Sequence, residues 1–144
     1  MPTSTRNRLA DKVWLDLSRI VLDNNDTWRR AAVAVSELPF SRIRILLRLA
    51  RNPMTVKEVA LASTIDAPAA TVAVNDLEDR GLVVREVDPN NRRCKLVSLT
   101  ESGRALVAKV KAIDDPAPAA LAGLPDDDLA MLAALVAKIM SGEG

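Results

Sequence analysis

Between residues 82 and 99 the chain changes period, and that change limits the folds open to it. Leu82-Val-Val-Arg-Glu-Val87 is short and β-branched, and Cys94-Lys-Leu-Val-Ser-Leu99 alternates at period two. The turn formers Asp88-Pro-Asn-Asn-Arg-Arg93 lie between them, so the segment reads as a β-hairpin with a basic tip. The apolar residues on either side recur at helical spacing. The expected fold is mainly α with one small β-hairpin.

Two short helices precede the hairpin. Thr55-Val-Lys-Glu58 is a capping box: the threonine oxygen can accept from the N3 amide while the glutamate returns to the Thr55 amide. Asp66 is the next N-cap, with Pro68 in the first turn, where a missing amide does no harm. That helix carries Val74 and Leu77 inward and stops at Gly81, a residue able to take the left-handed cap. Upstream, Leu9, Val13, Leu17, Ile20 and Val21, with Trp14 widening the stripe, predict a long helix over residues 5–35. The pattern weakens at Asn24, Asn25 and Asp26, where the helix can kink or break, and resumes through Trp28, Ala31, Ala32 and Val35. After Leu38-Pro39-Phe40-Ser41, a further helix places Ile43, Leu46, Leu47 and Ala50 on one face. Arg42, Arg44, Arg48 and Arg51 stand mostly outside, and Asn52-Pro53 ends it.

Downstream, Thr100 caps a helix through Leu106, Val107 and Val110 to about Ile113, and Asp114-Asp115-Pro116-Ala-Pro118 breaks it. The last helix starts after Pro125 with Asp126, Asp127 and Asp128, where the helix dipole favours acids. From Leu129 to Met140 it is apolar almost all round, relieved only by Lys138. A helix without a polar face must be buried on several sides. A chain of 144 residues can hardly enclose it and also cover the first helix, so both are expected to pack against a second copy. The alternative is a monomer whose terminal helices cover one another.

Composition removes other classes. With 49% hydrophobic residues the chain can bury a core, and no uncharged apolar run is long enough to span a membrane. Asp11 and Lys12 interrupt any apolar run behind the N-terminus, so no signal peptide is expected and the cytoplasm is the default compartment. There is no His, no Tyr and a single cysteine, Cys94; neither a catalytic constellation, a metal site nor a cofactor is expected. No glycine-rich phosphate cradle occurs either. Charge is graded: residues 38–100 hold ten basic and seven acidic side chains, while residues 101–144 hold four and seven. A polyanion would meet the middle segment.

Two short helices, a basic-tipped hairpin and flanking helices describe a winged helix-turn-helix. In it the second short helix, here about 66–80, enters the major groove, and the wing, 82–99, reaches the minor groove. Leu77-Glu78-Asp79-Arg80-Gly81-Leu82-Val83, then Asp88-Pro-Asn-Asn-Arg-Arg93, then Leu96-Val-Ser-Leu-Thr-Glu-Ser-Gly-Arg104, resemble the MarR family of bacterial transcriptional regulators in order and spacing. The resemblance implies a single domain over 1–144. Dimerisation helices would occupy 1–37 and 101–144, and the DNA-binding winged helix-turn-helix 38–100. It also implies a homodimer, a repressor on a pseudo-palindromic operator, released in many relatives by a small aromatic molecule and in some by cysteine oxidation.

The chain departs from the family at several positions. Val72 and Asp76 stand where many relatives carry Arg, which leaves Thr71 and Asn75 as the main polar readers. The usual D-x-R of the wing becomes Asn91-Arg92-Arg93, with Asp88 as a substitute acid. The expected DNA contacts are Thr55, Ala67, Pro68, Thr71, Val72, Asn75, Asn91, Arg92 and Arg93. Trp14, Trp28 and Phe40 are core or interface residues, or else walls of an effector pocket. Cys94, flanked by Arg93 and Lys95, is a core thiol or a redox sensor. The rival reading is a dimeric scaffold of the same fold that has lost its DNA readout.

Overall fold

The computed structural model describes residues 6–142, so the expected helix start at residue 5 lies outside the described residues. The chain divides into two compact units, Met1–Asp114 and Asp115–Gly144.

In the first unit, α1 (Arg8–Asn24) and α2 (Asp26–Ser36) divide the long helical stretch at the place where its periodicity weakens. Asn7 caps α1 by accepting from the Ala10 amide at 3.0 Å. The interruption falls at Asn25, inside Asn24-Asn25-Asp26, whose short polar side chains compete with the helical ladder; Asn24 Nδ2 already donates to the Ile20 carbonyl at 2.7 Å. Helix α3 (Phe40–Leu49) buries Ile43, Ile45, Leu46 and Leu49. The expected inward Ala50 is exposed, because it lies past the last turn as the cap residue, and Ile45 and Leu49 take the core positions.

Both halves of the capping box form at α4 (Val56–Ser63): the Glu58 amide donates to Thr55 Oγ1 at 3.1 Å, and the Thr55 amide donates to Glu58 Oε1 at 3.2 Å. A left-handed Thr64, φ 55°, turns the chain into Asp66, whose carboxylate accepts from the Ala69 amide at 2.8 Å and starts α5 (Ala67–Asp79). Gly81 at φ 75° releases the chain into the hairpin, β1 (Val83–Asp88) and β2 (Asn91–Leu99), paired antiparallel from Val83 opposite Leu99. Met54 adds a rung that periodicity did not reveal, exchanging backbone hydrogen bonds of 3.1 and 2.7 Å with Val97.

Thr100 then caps α6 (Glu101–Lys111), accepting from the Gly103 amide at 3.1 Å while donating to the Gly81 carbonyl at 2.6 Å. A Cβ at Gly103 would stand 2.1 Å from the Leu82 carbonyl oxygen, so the Leu-Thr-Glu-Ser-Gly run has a steric reason for its glycine. The core behind these elements is aliphatic. Ile43, Val59, Val74, Leu77, Val83 and Val97 are fully buried, each contributing about 1.5–3 kcal/mol.

The second unit holds α7 (Ala119–Ala122) and α8 (Asp126–Gly142). The expected break at 114–118 is chain without regular secondary structure. No residue of α8 is buried, and Met131, Leu135, Val136, Ile139 and Met140 are exposed. Among the described residues no helix is long and apolar enough to cross a membrane.

Candidate nucleic-acid interface

Helix α5 has two opposite faces. Ala70, Ala73, Val74 and Leu77 are buried, whereas Ala67, Pro68, Thr71, Val72 and Asn75 are exposed at the complementary helical positions. The residues expected to meet base edges therefore share one solvent face, and Val72 is 61% exposed. Thr71 Oγ1 donates to the Ala67 carbonyl at 3.0 Å, which leaves its oxygen lone pairs outward as acceptors.

The flanks of this face are pinned by arginines. Asp76 accepts from Arg42 Nε at 3.0 Å and from Arg80 Nε at 3.1 Å. The Arg42 hydrogen bond, and after it that of Arg80, holds the Asp76 carboxyl below its usual 3.8. Arg42, expected on a solvated face with its neighbours, is instead 22% exposed and ties α3 to α5. Arg42 lies in the first turn of Phe40–Leu49, within reach of Asp76. On the other flank, Arg85 of β1 donates through Nη2 to Glu78 Oε1 at 2.9 Å and to Asn75 Oδ1 at 2.5 Å. Arg85 lowers the proton affinity of Glu78, and Glu78 raises that of Arg85.

At the wing the turn is Pro89-Asn90, with Asp88 Oδ1 accepting from the Asn90 amide at 2.9 Å. The ladder then slips: Val87 faces Lys95 but Asp88 faces Asn91, which leaves Arg92, Arg93 and Cys94 bulged out of register on β2. The two arginines thus follow the turn rather than form its tip, and both are exposed. Asn91 Oδ1 accepts from the Arg93 amide at 3.2 Å, and its Nδ2 lies 3.5 Å from Cys94 Sγ. Asp88 forms no ion pair with either arginine among the described residues, so the substitute-acid expectation is not met. Its carboxylate is used locally in the turn. Cys94 is half-buried, as is Thr55, whose oxygen serves its helix cap.

The three aromatic residues do not converge. Trp28 and Phe40 meet edge to face at 5.8 Å and 89°, with the Arg29 guanidinium 4.3 Å from the Phe40 ring centre. Trp14 is 72% exposed on α1, bordering a groove with Arg6, Asp11, Lys12, Leu15 and Ser18. Sequence reasoning also passed over Arg85 and the clamp role of Arg42. The Asp76–Arg80 pair was visible at four-residue spacing, but its partners from α3 and β1 depend on tertiary geometry.

Helix α5 with its exposed face, the helix α4 before it and the basic hairpin after it define a winged helix-turn-helix protein. Residues 36–93 match the model of the MarR family. CouR from Rhodococcus jostii RHA1, in complex with p-coumaroyl-CoA, is 28% identical over 93% of this chain and 95% of its own, with a TM-score of 0.64. A MarR-family transcriptional regulator from Rhodococcus sp. RHA1 is also 28% identical, covering 93% and 96%, with a TM-score of 0.64. Apo MarR from E. coli, 22% identical over 86% and 94%, shares the fold with a TM-score of 0.67. Over the winged helix-turn-helix segment, residues 36–93, the chain is similar to the MarR family.

Proposed function

We propose that the chain is a transcriptional regulator that binds double-stranded DNA as a homodimer and represses from a pseudo-palindromic operator. The observation that carries this reading is the joint exposure of Ala67, Pro68, Thr71, Val72 and Asn75 on α5, with Arg92 and Arg93 exposed on the wing. In the roles assigned here, Thr71 and Asn75 meet base edges, Thr55 and Asn91 face the backbone, and the two arginines enter a minor groove. Residues 38–100 form the DNA-binding region. Residues 1–37 and 101–144 supply the dimer interface, which accounts for Leu9, Trp14, Val21 and Leu22 standing exposed on α1 and for the exposed apolar surface of α8. Two copies about a two-fold axis suit half-sites one helical turn apart.

The protein acts in the cytoplasm and is a regulator rather than an enzyme. A small aromatic effector is part of the proposal, supported by the p-coumaroyl-CoA held by CouR. Such a ligand releases DNA only by binding the two states unequally.

One observation favours the scaffold reading: α5 offers Asp76 and an Asn75 already engaged by Arg85, and no arginine on its exposed face. Fluorescence anisotropy of a labelled random duplex, titrated at several salt concentrations, separates the two. A regulator gives a steep fall of log affinity with log salt; a scaffold gives no binding at moderate salt.

A further inference from the structure

The contact between Arg85 and Asn75 constrains what α5 can read. A guanidinium carries only donors, so the amide edge that faces Arg85 Nη2 at 2.5 Å must be Oδ1. The same Nη2 is anchored by Glu78 Oε1 at 2.9 Å, and Arg85 itself is only 26% exposed, so the guanidinium is held on two sides. Asn75 Nδ2 has no hydrogen-bond partner among the described residues, and Asn75 is exposed.

An asparagine that reads adenine must present both amide edges to one base, accepting from N6 and donating to N7. Arg85 holds the accepting edge toward β1. We propose that Arg85 is a specificity-determining residue that turns Asn75 from a two-edged adenine reader into a hydrogen-bond donor. Position 75 then selects base edges rich in acceptors: guanine N7 and O6, or thymine O4. Arg85 acts through Asn75 as a positioning residue. The inference rests on the DNA-reading function proposed above and names the base preference of that site.

Selection from a randomised duplex library tests it, with wild type, Asn75→Ala and Arg85→Met run in parallel and the far-ultraviolet circular dichroism of each variant checked. The Asn75→Ala selection identifies the base position that residue 75 reads. Wild type is expected to enrich guanine or thymine there. Arg85→Met, which keeps the bulk of the side chain but removes its donors, is expected to shift that position toward adenine by about tenfold. Arg85→Leu, which also lacks a donor, gives the same readout should the methionine variant fail to fold. A variant that keeps the wild-type base and merely binds every sequence more weakly overturns the inference, since that is what a structural role predicts. So does an Asn75→Ala selection identical to wild type. A wild type that enriches no motif overturns the DNA-reading function itself, an outcome distinct from both.

Discussion

Arg42 of α3 and Asp76 of α5 lie 3.0 Å apart across 34 residues of sequence, and the second oxygen of Asp76 takes Arg80 at 3.1 Å. Asp76 therefore ties α5 to α3 through its carboxylate. The same contact has a pH signature. Because the folded state lowers the proton affinity of Asp76, the contact stabilises fully above the ordinary value of 3.8 and fades as pH falls through the lowered folded value. Asp76→Asn is expected to lower the midpoint of thermal unfolding near neutral pH and to flatten the acid limb below about pH 4. Glu78 shifts in the same direction, so the variant has to be compared with wild type at each pH. Superimposable melting curves at neutral and acid pH would show that the clamp contributes nothing.

Two glycines are required for different reasons. At Gly103 the backbone conformation is ordinary, but a Cβ would collide with the Leu82 carbonyl, so Gly103→Ala must push α6 off the start of the hairpin. The expected loss is about 3 kcal/mol, read from the urea midpoint. At Gly81 the space is open but φ is 75°, and Gly81→Ala is expected to cost about 1–2 kcal/mol from backbone strain alone. Equal losses at the two positions would contradict this division.

The capping box isolates α4. Thr55→Ala removes the acceptor for the Glu58 amide and should lose about 1 kcal/mol, whereas Thr55→Ser should lose little. Denaturant titration of the two variants checks this. A serine variant as unstable as the alanine one would place the threonine's value in its methyl packing instead.

Dimerisation is expected to require the C-terminal helix. Sedimentation velocity of a chain lacking residues 125–144 should show monomer or aggregate where the full chain shows dimer, because α8 carries an uncovered apolar surface. A well-folded dimer surviving the truncation would move the interface to α1 alone.

What could be read from the sequence was whatever local chemistry specifies. The caps at Thr55, Asp66 and Thr100, the left-handed Gly81, the break after α6 and the hairpin all follow from neighbours within four residues, and all form as expected. The candidate DNA-reading face was legible for the same reason, since the buried period of α5 dictates its exposed one. The rest depends on contacts between segments far apart in the chain. Nothing near Arg42 indicates that it reaches Asp76, and nothing near Asn75 indicates that Arg85 holds its oxygen. The wing bulge was hidden because turn-former composition sets the presence of a hairpin but not its register.

The most direct test of the DNA-binding function is the salt dependence of duplex binding for wild type and for Arg93→Ala, measured on operator and random DNA alike. Arg93 is exposed on the wing bulge, and an arginine in a minor groove responds to groove width and potential rather than to a unique base pattern. The expected result is weaker binding of Arg93→Ala to every duplex, with the log–log salt slope reduced by about one for each wing in contact. Asn75→Ala, in contrast, should lose about 1–3 kcal/mol on the operator and little on random DNA. Binding constants and slopes unchanged by Arg93→Ala would mean that the wing does not touch DNA, and the scaffold reading would take its place.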